Sequence, residues 1–410
     1  MSKLEELIEQ YCPDGVKYVK LGDFATQWYR GAGIKKDEIA QEGIPCIRYG
    51  EIHTIYKIWF DKCISHTDEA KQPSKKYADY GDILFAITSE DIPFIGNSVA
   101  YMGKDRIMVG GDIVVMKHTQ NPKYISYALS TIDAVSQKGK GKVKSKVVHT
   151  NVPSLKEIVI PVPPLPVQEE IVRILDTFTE LHAELHAELQ KRKQQYNYYR
   201  DNLLSFKGRT DVEWKKLGEI ASIKTGRRFV RTDIRESGVP CFHYGDIYTY
   251  YGLTATQTKG YLDKELAKKL RFAQPNDVVV VCAGENDMDI GVGVAWLGDK
   301  PAVVHDACCI LHHNQSPRYI SHFLRTHNYH LQMKKYVKNG KISSLPASGL
   351  AEALIPLPSF EEQERIAAIL DRFDTLTTDL TQGLPAEIEK RRQQYEYYRD
   401  KLLTFKRKGA

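Results

Sequence analysis

Apolar and polar positions along the chain run in two rhythms, and the pair of rhythms occurs twice. Residues 16–160 hold short apolar runs such as Gly81–Thr88 (GDILFAIT), separated by Gly, Pro and Asn. Runs of this length between turn residues predict strands with a few short helices. Residues 212–355 repeat that texture, with Asp277–Ala283 (DVVVVCA) as the plainest strand. Val159–Pro166 and Ile355–Pro358 then gather prolines, which predict extended boundary segments. After each boundary the rhythm lengthens. Positions 171, 175, 178, 182, 185, 189, 192, 196, 199, 203 and 206 alternate steps of four and three, and nine of these eleven are apolar or aromatic. That is a heptad seam, and at ~1.5 Å per residue it predicts a helix about 60 Å long. One small domain does not cover such a helix, so a partner helix is expected. The second copy supplies it in Ile366, Leu370 and Phe373, then Tyr395, Tyr398, Leu402 and Phe405. Thr381–Glu387 (TQGLPAE) interrupts it, because Gly383 ends a helix well and Pro385 fits a new first turn.

The two halves match in letters as well as rhythm. Arg192–Lys207 recurs as Arg391–Lys406 with 12 of 16 positions identical. Glu42–Ile52 recurs as Ser237–Ile247, Val16–Ala25 as Val212–Ala221, Asn121–Ser126 as Ser316–Ser321, and Ile158–Phe178 as Ala353–Phe373. The chain is therefore one unit of about 195 residues used twice. The order domain, helix, domain, helix, with short connections, predicts an antiparallel helix pair with one domain at each end and pseudo-two-fold symmetry. The stub Leu4–Tyr11 is placed near the end of the chain, completing there what Asn202–Lys207 completes elsewhere. The expected class is α+β, with mixed αβ domains at 1–160 and 211–355 and long helices within 161–210 and 356–410.

The chemistry is marked by what is missing. No GxxxxGK[ST], GxGxxG before a helix, HExxH, GxSxG or CxxC pair occurs among the 410 residues, so no catalytic residue, metal or bound cofactor is assigned. His305, Cys308, Cys309, His312 and His313 are plausible zinc ligand types. The repeat nevertheless sets Cys308 and Cys309 on Ile113 and Val114 and His305 on Gly110, which favours a buried strand. Of the acids in Gly284–Asp289 only Glu285 has an acidic counterpart, Glu90, and a turn explains both. Seven unpatterned Cys and a charged N-terminal stretch without an apolar core point to a reducing cytoplasm.

The net charge of +6 permits a polyanion partner without requiring one; its placement says more. Gln137–Lys146 carries Lys138, Lys140, Lys142, Lys144 and Lys146 without an acid, and Lys334, Lys335, Lys338 and Lys341 fall in the matching region. Such a loop either follows a phosphate backbone or is simply solvated. Thr225–Arg231, with Arg227, Arg228 and Arg231, corresponds to Gln27–Lys36, with Tyr29, Arg30, Lys35 and Lys36. Arg48-Tyr49 and His243-Tyr244 occupy one slot in both copies. Arginine beside aromatics at a turn suits base-edge contact, and a shared scaffold with different tips suits two readers of different sequences. Ordinary surface divergence is the alternative. The 24 Tyr exceed the 13 Phe, partly through Tyr196, Tyr198, Tyr199 and Arg200 and their repeats Tyr395, Tyr397, Tyr398 and Arg399. These serve either helix packing or docking of another protein.

Two variable αβ units, each closed by a Pro-rich stretch, Gln168-Glu169-x-Ile171 or Gln363-Glu364-x-Ile366, an Ile-Leu-Asp-x-Phe run and a Tyr-rich helix, resemble the specificity subunit of type I restriction-modification systems. The resemblance spans nearly the whole chain. It implies two target recognition domains, each reading half of a bipartite double-stranded DNA site. It also implies helices that space them and dock two methyltransferase subunits, with restriction subunits joining these. S-adenosylmethionine and ATP are then expected on the partner subunits alone. Leu181–Leu189 (LHAELHAEL) fits, since a four-residue step lengthens a helix by about 6 Å, against about 3.4 Å per base pair. The reading from another class is a coiled-coil adaptor whose αβ modules bind proteins.

Overall fold

The computed structural model describes residues 2–90, 94–138, 148–284, 289–338, 340, 342–379 and 381–409. It forms two compact units, and neither coincides with one copy of the repeat. The first comprises Met1–Ala183 and Lys390–Ala410, the second Glu184–Glu389.

The first unit is built on a five-stranded sheet with spatial order Ala25–Arg30, Ile113–His118, Ile83–Ala86, Ser98–Tyr101, Trp59–Phe60. Its central strand is a continuous apolar run because both faces are covered. Alternate residues go to opposite sides. Ile83 and Phe85 enter one core with Val114, Met116 and the helix Pro122–Leu129, while Leu84 and Ala86 enter another with Ile47, Ile107 and Val109 of a second sheet. That second sheet has the order Ile39–Ala40, Ser65–Thr67, Ile44–Ile47, Ile107–Val109, Tyr77–Ala78. The second unit repeats the plan around Val278–Val281. Val278 and Val280 face one core, and Val279 and Val281 the other.

The proline-rich boundaries form edge strands, Val159–Pro161 against Tyr18–Lys20 and Leu354–Leu357 against Glu213–Lys216. The helix that follows starts earlier than read from sequence, since Leu165 and Pro166 already belong to Leu165–Leu203. Proline is tolerated in a first helical turn, where no amide donor is needed. Just beyond each boundary a buried glutamine clasps the domain. The Gln168 carbonyl oxygen accepts from the Asn121 amide at 3.1 Å, and its amide group donates to Pro163 O at 2.7 Å and Gln120 Oε1 at 2.8 Å. Gln363 does the same with Ser316, Pro358 and Gln315. This use of every polar atom of the side chain is the physical content of the Gln-Glu motif.

In each unit the beginning of one repeat's helix meets the finish of the other's, as an antiparallel pairing requires. Phe178 stacks on Tyr398 with centroids 5.6 Å apart, and Phe373 stacks on Tyr199 at 5.5 Å. The expected interruption is present: Phe360–Thr378 ends, Asp379 accepts amide hydrogen bonds from Thr381 and Gln382, and Leu384–Leu402 begins with Pro385 in its first turn. The stub forms the helix Lys3–Tyr11, capped reciprocally by Ser2 and Glu5, with Leu4 in one core with Leu403. Val16 and Lys406 join the chain's two ends by a 2.8 Å amide bond.

Candidate nucleic-acid interface

In the first unit, strand Ala25–Arg30 runs into Gly31, whose amide donates to Ile113 O at 2.8 Å. A Cβ on Gly31 would lie 2.2 Å from Gly110 O, so only glycine lets the two backbones meet. Across from this turn, strand Ile44–Ile47 leads to Arg48, the cap of helix Tyr49–Thr54. The Arg48 amide donates to the buried Glu51 carboxylate at 2.8 Å, which fixes where the Arg48 and Tyr49 side chains leave the backbone. Between the walls lies a cleft of about 620 Å³ lined by Arg30, Ile34, Arg48, Tyr49 and Asp112 over Gly31, Gly33, Gly110 and Gly111. Arg30 is tied to its own wall, by Asp112 at 2.8 Å and by Gly111 O.

The second unit has the corresponding cleft, of about 400 Å³, between Arg228–Arg231 and His243-Tyr244, with His305 and Asp306 at its base. Gly226 repeats the glycine requirement: a Cβ there would lie 2.2 Å from His305 O. Phe229, His243, Tyr244 and His305 form a ring cluster with centroids 4.6–6.2 Å apart. Burial holds both imidazoles below the usual histidine range, and the neighbouring imidazole pushes His243 further the same way. Neutral histidines are the consequence, and Nδ1 of each accepts a backbone amide, from Gly245 and Ala307.

Several expected contacts are placed elsewhere. Tyr29 is half-buried, donates to Tyr77 O at 2.5 Å, and has its phenol pushed up to about 12 by burial, so it packs beneath the cleft rather than lining it. Arg227 turns away and donates to Lys269 O at 2.7 Å. Lys138 ends the helix Ile132–Lys138 with 6% of its surface exposed, held by Ser98 Oγ at 3.3 Å; burial lowers it to about 7. It is unavailable to a phosphate. Lys140, Lys142, Lys144, Lys146 and Lys341 lie outside the described residues. Lys35 and Lys36 are exposed just past the first cleft; Lys334, Lys335 and Lys338 are exposed without lining the second, although Lys338 pairs with Ser344, whose strand borders the cleft-lining Ala283 and Gly284.

The tyrosines divide by position. Tyr196 and Tyr395 face inward: Tyr196 is buried beside His322 Nδ1 at 3.1 Å, and Tyr395 packs on the first unit's core. Arg200 and Arg399 cover those rings at 5.5 and 5.7 Å and are themselves largely buried. These four are unsuited to docking because their own unit uses them. Tyr198 and Tyr397 are exposed, 64% and 62%, next to the exposed Tyr199 and Tyr398. Cys308 and Cys309 are buried in strand Cys308–His313, and His312 bonds Asp277 at 2.7 Å. Among the described residues, no group of three or more His, Cys, Asp or Glu is arranged to hold a metal ion. His305 is the cleft residue that sequence reasoning misassigned; its register opposite Gly110, beside the Arg48/His243 slot, was the signal available.

The chain is thus a duplicated αβ scaffold in which each copy carries a cleft on the same backbone frame and is followed by a long helix. The family model for the type I restriction modification DNA specificity domain matches residues 13–192 and again 210–390. The chain is 37% identical over 295 residues to the type I restriction enzyme EcoR124I/EcoR124II specificity subunit of Escherichia coli, covering 69% of this chain and 70% of that one. It is 30% identical over 312 residues to a putative type I restriction enzyme specificity subunit of Haemophilus influenzae, covering 72% and 74%. The fold matches a solved structure from a study of type I R-M system assembly and conformational transition, with TM-score 0.64, 16% identity and coverage of 95% and 97%. It also matches an M. genitalium type I S subunit, with TM-score 0.52, 14% identity and coverage of 95% and 96%. The protein belongs to the type I restriction-modification specificity family, as a specificity subunit and hence a non-catalytic component of its system. Among the described residues, no helix is long and apolar enough to cross a membrane.

Proposed function

We propose that each αβ domain reads one half of a bipartite double-stranded DNA site through its cleft, while the helices set the gap and dock two methyltransferase subunits, to which restriction subunits attach. The observation that carries this reading is the pair of clefts: one backbone frame, with arginine at each, and different side chains at matching slots. Arginine presents donors suited to the two acceptors of a guanine edge, and exposed Lys35 and Lys36 beside the first cleft suit phosphate. The exposed Tyr198 and Tyr397, off the packed seam, are the docking candidates. S-adenosylmethionine and ATP belong to the partner subunits, and the assembly works in the cytoplasm. The boundary between the compact units falls within Leu181–Leu189, so removing one LHAE step is expected to shorten the gap by one or two base pairs.

The test is binding of the full chain to duplexes with salt titration. Affinity should fall steeply with salt. Arg48→Ala should weaken preference at one half-site and Arg228→Ala at the other, each by ~1–3 kcal/mol. Salt-independent binding, or protein capture by the αβ domains without DNA, would favour the adaptor reading instead.

A further inference from the structure

We propose that His305 is a specificity-determining positioning residue of the second domain, one that decides from which wall of the cleft a cation reaches the DNA. This rests on the reading of the clefts given above. Gly31 and Gly226 lay the same floor in both domains, each too close to the facing strand's carbonyls to carry a side chain. On that floor, positions 33, 48 and 110 of the first domain match 228, 243 and 305 of the second. The first set is Gly, Arg, Gly and the second is Arg, His, His.

The exchange is coupled by space. In the first domain, a Cβ on Gly110 would lie 3.1 Å from Ile47 O, 3.4 Å from Arg48 Cα and 3.7 Å from Arg48 Cγ. The bare backbone at 110 is thus covered by the stem of Arg48, which lines the cleft from that wall, with Gly33 and the Asp112-tied Arg30 on the other. In the second domain the His305 ring fills the same room. Its centroid lies 4.9 Å from His243 and 5.3 Å from Tyr244, and it meets Phe229 edge-on at 5.0 Å and 84°. Ala307 N–H fixes the ring by donating to Nδ1 at 3.1 Å. His243, 9% exposed, lacks the reach of an arginine. The exposed cations of the second cleft are now Arg228, at the position of Gly33 and next to the Phe229 that His305 braces, and Arg231 on the same wall. A guanidinium offered from the opposite wall meets a different base position, so two similar frames read different half-sites.

The experiment selects bound sequences from a pool of randomised DNA duplexes with the full chain and scores each half-site separately. His305→Gly is expected to relax base preference roughly tenfold or more in one half-site and to leave the other unchanged. His305→Phe, which keeps the ring against Phe229, should retain most of that preference, and the double variant H243R/H305G should create a new preference in the same half-site. Unchanged preference with His305→Gly, equal loss in both half-sites, or a His305→Phe variant as impaired as His305→Gly would each overturn the proposal. Arg48→Ala, run alongside, separates the failures: if it too leaves both half-sites unchanged, the clefts are not the reading sites and the assignment of His305 falls with them.

Discussion

The two units hold their long helices through the same carboxylate slot but by different chemistry. In the first, Asp176 of the central helix takes Lys123 at 2.6 Å and the Tyr127 hydroxyl at 2.7 Å directly. In the second, Asp371 takes Arg318 at 2.9 Å and His322 Nε2 at 2.8 Å, and His322 Nδ1 then accepts from the Tyr196 hydroxyl at 3.1 Å. An imidazole has two polar ends where a phenol has one. The second unit therefore extends one hydrogen bond into a chain that ties two helices to the domain, with a buried ring as its middle link. Position 127/322 shows that a duplicated fold keeps its anchor and lets the reach to it vary. Positions 134/329 and 138/333 show the same for volume. Tyr329 and Met333 fill the second core, whereas Ala134 leaves space in the first that the stem of Lys138 occupies against Gly96.

This contrast is tested most strongly at its middle link. His322→Ala should destabilise the second unit by about 3–4 kcal/mol, since it opens a cavity, strands the Tyr196 hydroxyl and removes one of the two partners of Asp371. Tyr127→Phe should cost the first unit about 1–2 kcal/mol. Amide hydrogen exchange followed unit by unit reads both, and equal losses would break the contrast. Next in size, Lys138→Met, which gives the first core the side chain of the second, should stabilise the first unit by on the order of 2 kcal/mol at neutral pH. Because burial lowers Lys138 from 10.5 to about 7, the unfolded chain binds its proton more readily between those values. The gain should be full below about pH 7 and vanish above about 10.5, as exchange measured across that range would show.

Acidification should then separate the units. Burial lowers His243, His305, His313, His322 and His330 in the second unit, and His118 in the first. A histidine with a lowered folded value contributes stability that is present above the unfolded value near 6.5 and is lost as pH falls. By pH 5 the second unit should have lost more stability than the first; parallel loss would contradict the burial of its imidazoles. The smallest effect probes what the units share. Tyr199→Leu and Tyr398→Leu each remove one ring stack and should cost about 0.5–1.5 kcal/mol, equally in the two units.

Much of this was legible in the sequence because periodicity and repetition report on packing. The all-valine run at 278–281 announced a strand, and Gly383 with Pro385 announced the helix break. The cleft was half legible: Arg48, Tyr49, Arg228, His243 and Tyr244 line it as their matched positions implied. Arg227 does not, because one residue along an extended turn reverses the direction of a side chain. Tyr29 fails for the same reason, pointing to the inner face of its strand. Lys138 was misplaced because its burial depends on the missing bulk at Ala134, a contact across a helix turn that no count of charges contains. Tyr196 and Tyr198 were grouped together for packing or docking, although two residues along a helix separate a buried side from an exposed one.

The composition of the first unit has a consequence for synthesis. Tyr395, Leu402, Leu403 and Phe405 pack with Leu4, Ile171 and Leu175, yet they are translated after the whole of the second unit. At roughly 5–20 residues per second, the first domain emerges from the ribosome on the order of ten seconds to a minute before the segment that closes its core. During that interval the seam around Leu175 and Phe178 lacks its native cover. Chaperone protection should therefore be needed at the front of the nascent chain rather than at its end, until Tyr395–Phe405 arrive.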